Sequence, residues 1–403
     1  SEKSWTASHP VDLSLDEIGS ECTPRVRYRG FVFLDSEADV TIRKLMSGGS
    51  QLKGLVLSGG TGSRLRPFTY STAKQLLPLA NKPVLFYVIE SLVAAGITDI
   101  GVVVGSTADQ IKEALGDGSR FGAELMFVQQ DAPRGLAHAV QTARPFLGDQ
   151  PFSVFLGDNL LRGGLDGSVA GFAGGTAEAQ ILVKPVANPS EFGIAELRPD
   201  GGVHRLVEKP AQPASNLAIL GVYMLRRRFF EAAATIRPSF RGELEITDAL
   251  QAMIDSGMEV HARTVEDDWI DTGSPADLLT ANRMMICDAQ PGEGYEWLEG
   301  TSSAGSVLVG SGVTLDGSQV SGPAIIGPGS EVHDSQIGPG TSIGAGCILR
   351  RVTVDDSIVM DGAVIEGARL RNSIVGRNAV VKAQPGRVFD GLLLGDHGRV
   401  ELV

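Results

Sequence analysis

Short apolar runs alternate with amphipathic stretches from residue 53 to about residue 290 of the chain. Runs of this length, bounded by glycine and polar residues, predict strands of a sheet that is covered on both faces. Between the first two runs, apolar residues recur at helical spacing within Pro83–Ala95. Such alternation predicts an α/β fold with a mainly parallel sheet. The predicted strands are Gly54–Leu57, Ile100–Val104, Ser153–Leu156, Gln180–Val183 and Ala218–Leu225.

From about Val307 the pattern changes to a short repeat in which branched apolar residues recur six positions apart. A six-residue period with one inward aliphatic side chain per flat side is typical of a left-handed parallel β-helix. The register slips between groups of repeats, which predicts irregular turns. The repeated residues are Val307 and Val313, Ile326 and Val332, the series Ile337, Ile343 and Leu349, Val364 and Leu370, and Ile374 and Val380.

Charge and cysteine content narrow the class of protein. Of 403 residues, 42% are hydrophobic and 21% are charged, as in folded globular proteins. The net charge of −13 argues against nucleic acid as the main partner. The three cysteines are widely spaced and odd in number, which favours a reducing compartment. No run has membrane-spanning length and no signal-peptide pattern opens the sequence, so we expect a cytoplasmic protein without a membrane partner.

Residues 1–52 contain no motif that carries chemistry. Residues 46–51 have the glycine and serine content of a linker, and Met46 is a candidate start of translation. We interpret residues 1–52 as an N-terminal extension that is flexible or read from upstream of the true start, and we expect residues 1–45 to be dispensable for turnover.

A glycine-rich loop, Leu57-Ser-Gly-Gly-Thr-Gly-Ser-Arg-Leu-Arg-Pro67, follows the first predicted strand. Its glycines let backbone N–H groups approach a phosphate closely, and nearby cations supply charge for a triphosphate. The loop has neither the ending of a P-loop nor the spacing of a dinucleotide fingerprint. The alternatives are another polyphosphate site or an ordinary strand-to-helix turn. The glycines are Gly59, Gly60 and Gly62, and the cations are Arg64, Arg66 and Lys74.

With the motifs that follow, this loop resembles the sugar-1-phosphate nucleotidylyltransferases, and among them the long form of the glucose-1-phosphate thymidylyltransferases. The resemblance implies a Rossmann-like nucleotidyltransferase domain over residues 53–295 and a β-helix domain over residues 296–403. The motifs are Gly59-Gly-x-Gly-Ser-Arg-Leu65, Lys74-Gln-Leu-Leu-Pro78, Gln130-x-x-x-x-Gly135-Leu-Ala, Leu156-Gly-Asp158-Asn159, Phe192-Gly193, Glu208-Lys-Pro210, Arg241-Gly-Glu-Leu-Glu-Ile-Thr-Asp248 and Trp269-Ile-Asp271-Thr-Gly273.

The resemblance implies that Arg64 neutralises the leaving pyrophosphate and that Lys74 adds charge on the same phosphates. Nucleotidyl transfer joins two anions, so charge neutralisation and in-line positioning supply most of the catalysis. Gln130 and Gly135 resemble the residues that bind the pyrimidine, through a side-chain amide and a backbone group. A polar loop is the alternative for this pair.

On the sugar side, the resemblance implies that Glu208 accepts hydrogen bonds from glucose hydroxyls. Lys209 would then hold the sugar phosphate, and Gly193 would offer its backbone. A glutamate and a lysine before a proline are also ordinary at a turn, so the three residues in isolation are a weak signal. Arg241 and Tyr223 are further candidates for the sugar pocket.

Asp158 and Asp271 each follow a short apolar run, which places both carboxylates at the edge of the sheet where ligands bind. Two carboxylates and phosphate oxygens form an oxygen-rich site that suits Mg²⁺. Aspartates that cap turns after strands are the alternative. Within the ordered motifs, the metal site is favoured.

The sequence therefore predicts a magnesium-dependent enzyme that converts dTTP and glucose 1-phosphate into dTDP-glucose and pyrophosphate. The competing hypotheses are a relative that uses UTP or another sugar 1-phosphate, and a catalytically inactive scaffold. The repeat domain offers only His333 and His397 as bases for acyl transfer, so we interpret it as an assembly or structural domain. Flat β-helix faces lead us to expect a homo-oligomer.

Overall fold

The computed structural model describes residues 52–292, 294–298 and 305–402. The interpretation of the N-terminal extension therefore lies outside the described residues, except at its last position. Leu52 is buried, at 4% exposure, in a core of the first domain.

The first domain contains a large mixed sheet and two small two-stranded sheets. Its strands are β1 (Lys53–Ser58), β2 (Pro78–Leu79), β3 (Lys82–Pro83), β4 (Asp99–Val104), β5 (Glu124–Gln129), β6 (Phe152–Leu156), β7 (Asn159–Leu161), β8 (Ala179–Pro185), β9 (Gly193–Leu197), β10 (Val203–Glu208), β11 (Leu217–Leu225), β12 (Val260–Thr264) and β13 (Trp269–Asp271).

The large sheet follows the order β10-β9-β11-β6-β1-β4-β5, and β8 joins β11 and β12 beside this path. The strands β6, β1, β4 and β5 are parallel, as expected for strands linked by crossover helices. The long strand β11 enters antiparallel to β6 and pairs antiparallel with β8 and β9. The predicted α/β class is confirmed, and all five predicted strands are present, within a sheet whose second half is antiparallel.

Helices cover both faces of the sheet. Along β1, Leu55 and Leu57 pack into one hydrophobic cluster and Val56 into the other, so the central strand is buried on both sides. Within the described ranges, no helix combines the length and the apolar character needed to cross a membrane. The helices are α1 (Val84–Ala94), α2 (Ala108–Leu115), α3 (Leu136–Thr142), α4 (Arg144–Leu147), α5 (Asp166–Gly174), α6 (Phe229–Ala233), α7 (Ile246–Asp255) and α8 (Pro275–Asp288).

Apart from its first strand, which pairs antiparallel with the second, the second domain is a stack of short parallel strands, as predicted for a left-handed β-helix. Its strands are β14 (Tyr295–Trp297), β15 (Val307–Gly310), β16 (Thr314–Asp316), β17 (Gln319–Val320), β18 (Ala324–Ile326), β19 (Glu331–His333), β20 (Gln336–Ile337), β21 (Thr341–Ile343), β22 (Ile348–Arg350), β23 (Thr353–Asp355), β24 (Ile358–Val359), β25 (Val364–Arg371), β26 (Ile374–Val375), β27 (Val380–Asp390), β28 (Leu393–Leu394) and β29 (Arg399–Leu402).

The coils of the β-helix vary in length around the value that three six-residue repeats would give. Val307 pairs with Ala324 and Ala324 with Thr341, a step of 17 residues. Ile358 then pairs with Ile374, 16 residues on, and Ile374 with Leu393, 19 residues on. This variation explains the slips of register in the sequence. One face follows the order β15-β18-β21-β24-β26-β28, and the long strands β25 and β27 turn a corner between the other two faces.

The first of these faces packs against the first domain. Alternate residues point into the β-helix, while Leu308, Ile325, Ile358 and Ile374 point outward and are buried. They join one hydrophobic cluster with residues of the first domain, including Leu65, Phe68, Leu77, Leu278 and Met285. The two domains therefore share a core, and one flat face of the β-helix is already covered by its own chain.

Candidate active site

The glycine loop leaves the carboxyl end of β1 and turns where the sheet offers ligands space. A Cβ at Gly59 would lie 2.9 Å from Gln130 Oε1, and one at Gly60 would lie 3.2 Å from Lys74 Nζ. Gly62 has φ +64 and would carry a Cβ 2.9 Å from Lys74 Cβ. Gly60 and Gly62 therefore leave room for the Lys74 side chain, which passes over the loop, and Gly59 leaves room for the Gln130 amide.

Lys74 and Asp158 form an ion pair at the centre of the site. Lys74 begins a short 3₁₀ turn, Lys74–Leu76, and Asp158 lies in the turn between β6 and β7. Asp271 is the last residue of β13, which pairs antiparallel with β7 so that Asp271 lies opposite Asn159. Thr272 fixes this arrangement, because its N–H and its Oγ1 both donate to the Asp158 carbonyl, at 3.0 and 2.8 Å. The structure thus brings both predicted aspartates together, with Asp271 on a small sheet separate from the main one.

Electrostatic effects shift the pKa values of the two carboxyl groups in opposite directions. Burial tends to raise the pKa of Asp158, but the attraction and hydrogen bond from Lys74 hold it below the ordinary value. For Lys74, burial opposes protonation, yet Asp158 keeps its pKa above the ordinary value. Burial, followed by repulsion from Asp158, raises the pKa of Asp271 to about 6. Within the described part of the chain, the Asp271 carboxylate forms no hydrogen bond or ion pair.

Arg64 lies beside this pair of carboxylates. A Cβ at Gly273 would be 2.6 Å from an Arg64 Nη2 atom and 3.3 Å from Asp271 Oδ1, so Gly273 leaves the space that the guanidinium occupies. Arg66 instead lies over the Tyr70 ring, 5.0 Å from its centroid, on the exposed side of the loop. Of the three loop cations, Arg64 and Lys74 are therefore the two that face the aspartates.

The Gln130 amide is buried behind the glycine loop and is held by α3. Its Nε2 donates to His138 Nδ1 at 3.0 Å, and His138 Nε2 lies 3.5 Å from Asp131 Oδ1. The contact with Asp131 favours a proton on His138 Nε2, which leaves Nδ1 as an acceptor and directs Gln130 Oε1 toward the loop. Gly135 precedes α3 with φ +105, and a Cβ there would meet the Leu244 carbonyl at 2.4 Å.

A second polar cluster lies on the sugar side predicted from the sequence. Thr247 Oγ1 donates to Glu208 Oε2 at 3.1 Å, and Arg241 Nη1 lies 3.4 Å from Glu208 Oε1. Burial raises the pKa of Glu208 above its ordinary value. A Cβ at Gly193 would lie 3.0 Å from Glu208 Oε2. Lys209 is exposed, with φ +41, and its N–H donates to the Phe192 carbonyl.

Trp269 connects the two clusters. Its Nε1 donates to Asn159 Oδ1 at 2.9 Å, next to Asp158, and its ring meets the Phe192 ring edge-on with centroids 5.4 Å apart. Phe192 in turn precedes Gly193 on the sugar side. The sequence singled out Trp269 only as part of a motif and gave no role to Thr247, Thr272 or His138. Their roles depend on partners distant in the chain, which a local pattern does not reveal.

The donor set suits a hard dication. Among the described residues, no cluster of three or more His, Cys, Asp or Glu side chains has metal-binding geometry. The buried Asp158 and the half-buried Asp271 nevertheless offer carboxylate oxygens beside each other, and no described cation forms an ion pair with Asp271. A site completed by phosphate oxygens needs few protein ligands, which is the usual pattern for Mg²⁺.

Comparison with known proteins identifies the family of the chain. The nucleotidyl transferase family matches residues 53–286. Glucose-1-phosphate thymidylyltransferases of Streptomyces griseus and Streptomyces antibioticus are each 45% identical, covering 87% of this chain and 99% of their own. A Bacillus anthracis crystal structure assigned to the same enzymes matches with a TM-score of 0.56 and 32% identity, covering 60% of this chain and 98% of that one. A UDP-glucose pyrophosphorylase bound to UDP-glucose matches with a TM-score of 0.53 and 25% identity, covering 59% of this chain and 99% of that one. The chain belongs to the nucleotidyl transferase family.

Proposed function

We propose that this protein catalyses the transfer of a thymidylyl group from dTTP to α-D-glucose 1-phosphate. A phosphate oxygen of the sugar phosphate attacks the α-phosphorus of dTTP, and the bond from that phosphorus to the β-phosphate oxygen breaks. The products are dTDP-glucose and pyrophosphate. The observation that carries the proposal is the position of Lys74 and Arg64, which face two carboxylates at the glycine loop between the Gln130 and Glu208 clusters.

Each residue has a specific part in the proposed reaction. Arg64 and Lys74 would lower the energy of the pentavalent transition state by neutralising the charge on the transferred and leaving phosphates. Gly59, Gly60 and Gly62 would let backbone N–H groups contact the triphosphate. Asp158 and Asp271 would hold Mg²⁺, which supplies further charge neutralisation when it is bound.

The Gln130 and Glu208 clusters would select the two substrates. Gln130, oriented by His138, presents an amide edge that can pair with a pyrimidine, and Gly135 contributes its backbone. Glu208 would accept hydrogen bonds from sugar hydroxyls, while Lys209 would contact the sugar phosphate after substrate binds. Lys209 is exposed to solvent, so its ammonium group is accessible to a bound sugar phosphate.

A second candidate uses UTP in place of dTTP. The similarity to a UDP-glucose pyrophosphorylase supports it, since both nucleotides present the same pyrimidine edge to Gln130. The deciding experiment measures pyrophosphate release from glucose 1-phosphate with dTTP, UTP, ATP, CTP and GTP in turn, with Mg²⁺ present. The proposal expects the highest kcat/KM with dTTP, and a preference for UTP would replace it with the second candidate.

The matched control for this experiment is Lys74→Met, which keeps the aliphatic stem over the loop and removes the charge. It should reduce turnover by about a hundredfold or more, because a charged group at the phosphates stabilises the transition state. No release by the wild-type chain with any nucleotide would instead favour the inactive scaffold. That outcome would leave the presence of Arg64, Lys74, Asp158 and Asp271 without an explanation.

We also propose that the chain assembles as a homo-oligomer through β-helix faces that its catalytic domain does not cover. The mass of the full chain in solution tests this. A chain that ends near residue 295 is a poor comparison for the full chain. It lacks the β-helix, so Leu65, Phe68 and Leu77 would be exposed.

A further inference from the structure

The last two coils of the β-helix contact the catalytic domain next to Lys74. Asp396 lies between β28 and β29, and its Oδ2 accepts hydrogen bonds from Ser71 Oγ at 2.7 Å and from Thr72 Oγ1 at 3.1 Å. Arg377 follows β26, and its Nη1 donates to Thr72 Oγ1 at 3.0 Å. Its Nη2 lies 3.4 Å from the Leu76 carbonyl. We call Arg377 and Asp396 the terminal clamp, and residues 66–77 the Lys74 segment.

The clamp is itself rigid. Asp396 Oδ1 accepts from the Arg377 backbone N–H at 2.8 Å, which joins the two coils, and the Asp396 side chain is only 7% exposed. A buried carboxylate that accepts three hydrogen bonds is held in one orientation, and charge-assisted bonds are stronger than neutral ones. Gly395 brings the coil close to the segment, because a Cβ at Gly395 would lie 3.1 Å from Pro67 Cβ.

The Lys74 segment is also held by the catalytic domain. Gln110 of α2 accepts from the Ala73 N–H at 2.8 Å and donates to the Ser71 carbonyl at 3.0 Å. The backbone that carries Lys74 is thus bonded both to α2 and to the terminal clamp. The clamp contacts residues two and three positions before Lys74 and two positions after it.

We infer that Arg377 and Asp396 are positioning residues for nucleotidyl transfer, through which the β-helix sets the place of Lys74 over the glycine loop. The inference rests on the proposed function for its kinetic part. In-line displacement is sensitive to small shifts, and a misplacement of about 1 Å can cost on the order of a hundredfold in rate. The β-helix is then a part of the active site's framework, in addition to any role in assembly.

A simple tether between domains would not require this placement. The domains already share a hydrophobic core and are joined elsewhere by Asn282, which bonds Ser342 and Gly340, and by the Arg283–Asp356 ion pair at 3.2 Å. The terminal clamp adds polar contacts to the Lys74 segment, the short part of the chain that connects Arg64 to Lys74. Arg283→Ala therefore serves as the control for loss of a contact between domains.

The chain also offers a control for the bond between coils. Asp361 Oδ1 accepts from the Ala345 N–H at 2.8 Å, as Asp396 Oδ1 does from Arg377, and it forms no hydrogen bond or ion pair with described catalytic-domain residues. Asp361→Ala removes a coil-to-coil bond equivalent to the one that Asp396→Ala removes, and it leaves the contacts of the Lys74 segment unchanged. The two variants thus differ in the contact to Ser71 and Thr72.

The experiment compares the full chain with Asp396→Ala, Asp361→Ala and Arg283→Ala in two measurements. The first is the steady-state release of pyrophosphate with dTTP and glucose 1-phosphate. We expect Asp396→Ala to lower kcat about tenfold with less than a twofold change in the KM for glucose 1-phosphate, since Lys74 acts on the nucleotide phosphates. Both controls should stay within about twofold of the wild type.

The second measurement is amide hydrogen exchange of the peptide that covers residues 71–77. Asp396→Ala should exchange about tenfold faster there, while neither control changes it. Thr72→Val, which keeps the shape of the side chain, should reproduce both effects in part. Equal exchange and equal kcat in Asp396→Ala and Asp361→Ala would overturn the inference. If the wild type turns over no nucleotide, the proposed function fails and the exchange measurement alone decides the inference.

Discussion

Replacing Asp271 with asparagine should stabilise the metal-free protein while it reduces activity. Asp271 is a half-buried carboxylate beside Asp158, and no described side chain forms an ion pair with it. An ionised group in this position costs folding free energy because it loses hydration and meets a like charge. Asparagine keeps the shape of the side chain and removes the charge.

The magnitude follows from the pKa of Asp271, which is raised from 3.8 to about 6. The folded chain therefore binds this proton more tightly than the unfolded chain. The associated stability is fully present below about pH 4 and is lost as the pH rises to about 6. Each unit of pKa corresponds to about 1.4 kcal/mol, so the ionised carboxylate costs at most about 3 kcal/mol above that pH. The two carboxylates titrate as a pair, and relaxation of Lys74 reduces the expected gain to about 1 to 3 kcal/mol.

The assay is urea unfolding with a chelator present, at about pH 8 and about pH 4.5. Asp271→Asn should be more stable than the wild type by about 1 to 3 kcal/mol at the higher pH, and the gap should shrink at the lower pH. Asp267→Asn, an exposed neighbour, is the charge-matched control and should change little. Added Mg²⁺ should then stabilise the wild type and not the variant. A variant that is equal to the wild type or less stable at about pH 8 would refute the proposed repulsion.

Three further predictions follow from the same structure. If Asp158 and Asp271 hold one metal ion, each change to asparagine should lower turnover about a hundredfold or more, and the double change should cost little beyond one single change; fully multiplicative losses in kinetic assays would contradict this. A chain that begins at Met46 keeps the buried Leu52 and should retain its activity, and loss of folding by circular dichroism would assign residues 1–45 to the domain. Asn282 is fully buried and bonds both domains, so Asn282→Leu should lower the free energy of unfolding by about 2 to 4 kcal/mol; an unchanged urea midpoint would show that these bonds contribute little.

Local patterns predicted the parts of the fold that depend on neighbouring residues. The strand β1 follows from an apolar run, and the helix α8 begins at a local cap, because Ser274 Oγ accepts from the Asp277 N–H at 3.2 Å. The sequence predicted Asp158 and Asp271 at the edge of the sheet where ligands bind, because each follows an apolar run and parallel strands end at the same edge. The motif order added the roles that spacing alone left open.

The remaining features depend on contacts between distant residues. The antiparallel entry of β11 is set by its pairing with β6 and β8, which no run of residues encodes by itself. The outward residues of the β-helix, such as Ile325 and Ile374, continue the apolar pattern, but the sequence does not say what covers them. The contact of Arg377 with Thr72 spans 305 positions in the chain. In the sequence, such charged side chains cannot be distinguished from ordinary surface residues, and only the packing of the two domains shows their partners.

The position of Lys74 shows how these local and distant contributions combine. Gly60 and Gly62, on the preceding loop, leave room for its side chain, and Asp158, delivered by the central sheet, binds its ammonium group. These contacts fix the two ends of the side chain and leave its backbone free to shift along the loop. Gln110 and the terminal clamp remove that freedom through separate hydrogen bonds to the segment. In a protein with a net charge of −13, we expect two anionic substrates to bind only where cations are held closely together, and we therefore expect the rate to depend on the position of this one backbone segment. On this argument the β-helix contributes to turnover through Lys74, even though it carries none of the residues expected to contact substrate.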